Sequence, residues 1–103
     1  MGAPRVTNRV RDEYEQILLK QGEEKVYRHA LGSGAINVEN HQFPEIVILN
    51  QAEAFFSLYR QTGNQNYFII GKALRRAAHK LYRQLIKSYE DYPVNMRFLN
   101  VIR

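Results

Sequence analysis

The stretch QNYFIIGKALRRAAHKLYRQLIKSYE, Gln65 to Glu90, decides how the rest of the chain is read. Tyr67, Ile70, Leu74, Ala77, Leu81, Leu85 and Tyr89 recur at steps of three and four, which sets them along one side of an α-helix. Ala73, Ala77 and Ala78 are small enough to let another helix come close, and Asp91-Tyr92-Pro93 closes the segment. Lys72, Arg76, Lys80, Arg83 and Lys87 follow steps of four, four, three and four, opposite much of the apolar stripe. Arg75 joins them, and no acidic residue lies between Lys72 and Lys87.

Working outward, Thr62-Gly63-Asn64 is a compact stop signal, and so short a turn favours an antiparallel neighbour. The helix before it starts near Pro44, because proline fits a first helical turn without losing a bond, and runs to about Gln61. Its broad apolar face is Ile48, Leu49, Ala52, Phe55, Phe56 and Tyr59. A further helical segment spans about Thr7 to Leu31, with Thr7 or Asn8 as cap and Val10, Tyr14, Ile17, Leu18 and Gln21 as its stripe. Gly22 interrupts that stripe and marks a kink or a break, after which Val26, Tyr27, Ala30 and Leu31 resume it.

Gly32-Ser33-Gly34 is expected to end the segment, and residues 35–44, with Asn37, Asn40 and His41, to form a loop. Residues 94–103 alternate too briefly to decide between one more helical turn and a packed extended end. The expected fold is all-α: a single domain over residues 1–103, a small bundle of three main helices with a short C-terminal tail. Leu-Tyr-Arg-Gln occurs at residues 58–61 and 81–84 with no further echo, so it marks no repeat.

The totals agree with a folded domain: 103 residues, 45% hydrophobic and 24% charged, too apolar for a disordered chain. A domain of this length is near the size where partners or self-association add stability, so a homo-oligomer is compatible with it. No cysteine is present, which excludes disulfides, thiolate metal sites and a cysteine nucleophile and fits a reducing intracellular compartment. The longest apolar run, Ile46 to Leu49, is far below the ~20 residues of a membrane span, and no apolar stretch follows Arg5 as in a secretory signal.

Charge is unevenly distributed. Residues 1–31 hold six basic and five acidic side chains, residues 32–71 one and three, and residues 72–103 eight and two, within a net charge of +5. Like charges repel at the spacing of the Lys72–Lys87 row, each pair costing a few tenths of a kcal/mol on an isolated helix, and a solvated helix more commonly interleaves glutamate. The row therefore has two readings, a solvated face or a binding stripe for an anionic surface. As a stripe it would use Lys72, Arg75, Arg76, Lys80, Arg83 and Lys87. Base-specific recognition is not indicated: neither zinc-finger spacing nor an aromatic RNA-binding signature occurs, and the long helix is a poor match to a recognition helix.

Chemistry-bearing constellations are sparse. His29, His41 and His79 have no second histidine at metal-ligand spacing. His29 is expected on a helix surface, His79 is expected neutral among cations, and His41, in a polar loop cluster, is the histidine most suited to a role. Ser33, Ser57 and Ser88 lack a nucleophile-elbow context, and Gly32-Ser33-Gly34-Ala35 is too short for a phosphate loop. Most aromatics are expected in the core, with Tyr82 and Tyr89 at its edge and their hydroxyls in water.

Residues 80–87, Lys-Leu-Tyr-Arg-Gln-Leu-Ile-Lys, followed by Tyr92-Pro93, Asn95, Arg97 and Ile102-Arg103, resemble the mitochondrial LYR-motif proteins. The resemblance covers about the last quarter of the chain, whereas in that family the motif stands near the N-terminus with two more helices after it. Those are small basic helical proteins, accessory subunits or assembly factors of respiratory complexes and iron–sulfur machinery that commonly dock the acyl carrier protein. The resemblance implies that Leu81, Tyr82 and Arg83 begin a docking helix, that Arg83 and Lys87 meet an acidic partner, and that the site of action is the mitochondrial matrix.

The expected function is a non-enzymatic helical adaptor or assembly subunit that docks an acidic protein through the basic helix face. The alternative is a nonspecific nucleic-acid-binding accessory protein using the same face. No catalytic residue, metal or cofactor is expected.

Overall fold

A computed structural model describes residues 5–36 and 43–99. The Thr7 hydroxyl accepts from the N–H of Val10 at 3.2 Å and opens α1 (Asn8–Gln21), satisfying one of the donors a helix start leaves free. The helix stops at Gly22, whose φ of 91° and ψ of 174° are essentially closed to any residue with a side chain. The Gly22 N–H donates to the carbonyls of Ile17 and Leu18, at 3.2 and 3.0 Å. A second helix, α2 (Glu23–Ile36), begins at once with Glu23 and Glu24 in its first turn, where the positive end of the helix dipole favours acids. The expected first segment is thus two helices, and the all-α bundle has four main helices rather than three.

Gly32-Ser33-Gly34 does not end α2, which continues to Ile36. A glycine within a helix costs only ~1 kcal/mol. That is too little to stop the helix where the backbone does not turn left-handed, as it does at Gly22. Ala35 and Ile36 are therefore helical rather than loop, while Asn37, Asn40 and His41 lie outside the described residues.

The helix α3 (Pro44–Thr62) carries its proline at the first turn and ends at Gly63 with φ 70°. The Asn64 side chain then accepts from the Asn66 N–H at 3.0 Å and starts α4 (Gln65–Ser88). The pair is antiparallel: Tyr59 and Phe56 meet Phe68 at centroid distances of 5.2 and 5.7 Å, and Glu45 meets Tyr92 beyond the far end of α4. A Cβ at Gly71 would stand 2.8 Å from the Phe56 ring, so the glycine lets that ring lie against α4. The interface between α3 and α4 is the largest in the bundle, and α2 packs on another side of α4.

Helix α4 is the centre of the core. Ile70, Ala73, Leu74, Ala77 and Ala78 expose no surface, and they meet Phe55 of α3 and Val26 and Ala30 of α2, which expose none either. Tyr14 of α1 joins them with its ring edge-on to Phe55.

After Asp91-Tyr92-Pro93 the chain makes one more helical turn, α5 (Met96–Leu99). Phe98 is fully buried and stacks on Tyr82, with centroids 4.5 Å apart and planes 9° from parallel. Tyr82 is therefore not at the core edge. Its ring is buried and its hydroxyl, rather than meeting water, accepts from the Asn95 N–H at 3.0 Å, because the tail folds back over it. Tyr89, by contrast, is 54% exposed, as expected. Arg97 ties the turn to α3, its Nη2 lying 2.6 Å from Glu53 Oε1 and 3.1 Å from Asn50 Oδ1. Among the described residues no helix is long and apolar enough to cross a membrane.

Candidate functional site: the basic face of α4

The apolar residues of α4 point at α2 and α3, so its cations have to emerge between them. They are not equivalent once there. Lys72 is half-buried, with Nζ 5.2 Å from the centroid of the Phe68 ring. Arg75 lies 5.2 Å over the Phe56 ring. Arg76 lies 4.4 Å over the Tyr27 ring, and its Nη2 is 3.6 Å from Glu24 Oε2. Glu24 also serves Arg28, at 3.7 Å. An aromatic face attracts a cation by its quadrupole, with ~0.5–1 kcal/mol at exposed sites. The first half of the row is thus engaged with α2, α3 and its own helix.

The second half is different. Lys80, Arg83 and Lys87 are exposed, and among the described residues none of them has a carboxylate within 4.0 Å. At ~1.5 Å of rise per residue they span about 10 Å of helix. Gln84 lies beside them, also exposed. Of the six residues expected to form the stripe, these three keep their full charge toward solvent, Arg76 is shared with Glu24, and Lys72 and Arg75 lie against rings. Leu81 and Tyr82 are buried in the last third of α4, so of the Leu-Tyr-Arg tripeptide only Arg83 faces outward, and the tripeptide does not begin a helix.

Of the histidines, His29 lies on a helix surface as expected, and His79 is buried. His29 is half-exposed on α2, and its Nε2 lies 2.7 Å from Glu13 Oε1 on α1, with the imidazole edge-on to Tyr14 at 5.6 Å. His79 is 6% exposed, edge-on to Phe98 at 4.9 Å, and its Nε2 has no hydrogen-bond partner among the described residues. Burial, followed by the charges of Arg83 and Arg75, holds it below its ordinary pKa, so it is neutral as expected, though buried rather than on the face. His41 lies outside the described residues.

Two features escaped the sequence reading altogether. Glu45, in the first turn of α3, is 1% exposed, and both its oxygens accept from the Tyr92 hydroxyl, at 2.8 and 2.5 Å. An acid after Pro44 is a usual helix-start signal, but nothing local announces a partner 47 residues away. Burial first, then that bond and the Glu45 charge, raise the Tyr92 phenol above its ordinary pKa. Beside this pair a cavity of about 350 Å³ is lined by Phe43, Pro44, Leu85, Tyr89, Asp91, Tyr92 and Pro93. Among the described residues no three His, Cys, Asp or Glu side chains gather as a metal site would require.

The fold and this face define a small all-α domain with a basic outer helix face. Compared with known proteins, the chain matches no family model, no curated protein and no solved structure.

Proposed function

We propose that the protein is a non-enzymatic interaction module, a helical adaptor or assembly subunit that docks an acidic protein through the outer face of α4. The observation that carries this reading is the exposure of Lys80, Arg83 and Lys87 in one row with no carboxylate against them among the described residues. A row of like charges on one helix is a small electrostatic cost to the isolated domain. An acidic surface placed on it turns that repulsion into attraction and steers association. Arg76, held between Tyr27 and Glu24, extends the same face toward α2.

The test compares two variants of equal net charge, Lys80→Glu/Arg83→Glu/Lys87→Glu and Arg9→Glu/Lys20→Glu/Lys25→Glu, the second set being exposed on α1 and α2. Each is cross-linked in cell extract beside the parent chain, and captured partners are counted by mass spectrometry. The expected result is a set of acidic proteins lost from the first variant and kept by the second. Capture of nucleic acid alone, or equal loss from both variants, overturns the reading.

A further inference from the structure

The bundle end where α3 begins and α4 finishes collects aromatic rings and negative charge in a protein that is otherwise basic. Phe43 and Tyr92 lie 6.2 Å apart with planes at 81°, and Tyr89 and Tyr92 lie 6.4 Å apart with planes at 36°. The three rings line the 350 Å³ cavity together with Leu85 and Pro44, both buried. Phe43 is 36% and Tyr89 54% exposed, so the rings are open to solvent.

Three sources of negative potential converge on the same space. Asp91 lines the cavity and is exposed. Leu85 in the last turn of α4 and its cap Tyr89 also line it, at the negative end of the helix dipole, which Lys87 in that turn offsets in part. Behind Tyr92 stands the Glu45 carboxylate, which accepts the phenol hydrogen bond and so pushes electron density toward the ring. The positive start of α3 is also here, but Glu45 occupies its first turn and offsets it. Among the described residues no lysine or arginine lines the cavity.

From this arrangement we infer that the cavity binds a methylated ammonium group. Such a cation prefers ring faces to water because its charge is spread over methyl groups, is poorly hydrated, and is attracted by the quadrupole of each ring. An apolar ligand of the same shape would fill the space but leave the rings, Asp91 and the end of α4 unanswered. Among the described residues a bare metal ion would find Asp91 as the one carboxylate lining the cavity, since Glu45 is occupied by Tyr92. The ammonium group belongs to a small solute or to a methylated lysine side chain; the chemistry recognised is the same. Of the cations of α4, Lys87 stands in the turn beside the cavity without lining it.

The test is a titration of the full chain, followed by amide NMR, with choline, with its neutral isostere 3,3-dimethyl-1-butanol, and with a short peptide carrying trimethyllysine. Shifts are expected to cluster at Phe43, Leu85, Tyr89 and Asp91, with the isostere at least about tenfold weaker than choline. Phe43→Leu/Tyr89→Leu keeps an apolar lining and removes two ring faces from exposed positions. It is expected to abolish binding of the cation while leaving the isostere unchanged and the rest of the spectrum in place. Saturation by choline assigns a free solute, and saturation by the peptide alone assigns a lysine side chain. Equal affinity for cation and isostere, no saturation by either cation, or unaltered cation binding in the double variant overturns the inference.

Discussion

The Tyr92 hydroxyl donates to the Glu45 carboxylate at 2.8 Å and fastens the segment after α4 to the first turn of α3. A carboxylate with 1% exposure is stable only while its oxygens are answered, so this one bond bears on the whole end of the bundle. Tyr92→Phe is expected to lower unfolding free energy by about 2 kcal/mol, the worth of a hydrogen bond to a charged group. Glu45→Gln retains an acceptor and loses less, and the double variant loses less than the two singles together. The same bond gives an alkaline signature. The raised phenol contributes stability that is complete below the unfolded value of about 10 and is lost as pH rises beyond it. Urea titrations from pH 8 to 11 check both points; a Tyr92→Phe chain with the parent's stability and the parent's alkaline slope would refute them.

Two glycines of this chain are expected to respond to alanine with opposite signs. Gly22 has open space around a would-be Cβ, yet its φ of 91° makes any side chain strained. Gly22→Ala should therefore destabilise by ~1–3 kcal/mol. Gly32 is helical, exposed and equally unobstructed. Gly32→Ala should stabilise by about 0.4–1 kcal/mol, chiefly by restricting the unfolded chain. Thermal unfolding of the two variants measures this, and a stabilised Gly22→Ala would mean that α1 and α2 are one helix.

The break at Gly22 shows what the sequence yields and what it withholds. Periodicity located α3, α4 and the segment that holds α1 and α2, because the apolar faces repeat at the period of the fold: Ile48 and Phe55 on α3, Ile70 and Leu81 on α4. Glycine was harder to interpret, since its effect depends on backbone angles rather than on identity. Gly22 turns the chain and Gly32 does not, and neither neighbourhood says which. The basic row was legible as a pattern. That Arg76 is held by Tyr27 and Glu24 while Lys80, Arg83 and Lys87 have no carboxylate against them among the described residues depends on where α2 lies, which no local spacing encodes. Tyr82 appeared amphipathic in isolation, and only the returning tail, with Phe98 stacked on it, makes it core.

His79 should make the fold sensitive to mild acid. Its pKa is lowered in the folded chain, by burial and then by Arg83 and Arg75, from an ordinary value of 6.5. The unfolded chain therefore takes up a proton at a pH where the folded chain does not, and stability falls as pH drops below about 6.5 toward the folded value. The proton would enter the contact with Phe98, between two arginines one turn away on either side. His79→Leu removes this term, so the difference in melting temperature between pH 7.5 and pH 5.5 should be smaller than in the parent. An equal difference in both chains would show that His79 does not titrate against the fold.

A salt series with purified components tests most directly whether Lys80, Arg83 and Lys87 receive an acidic protein. The probes are a glutamate-rich helical peptide and a random-sequence DNA duplex, each titrated with the full chain between 20 and 200 mM salt. The peptide is expected to bind at low salt. Lys80→Glu/Arg83→Glu/Lys87→Glu is expected to weaken it by about tenfold or more, with Arg9→Glu/Lys20→Glu/Lys25→Glu changing it little. A peptide that binds both variants alike, or a duplex that outcompetes the peptide at every salt concentration, would contradict it.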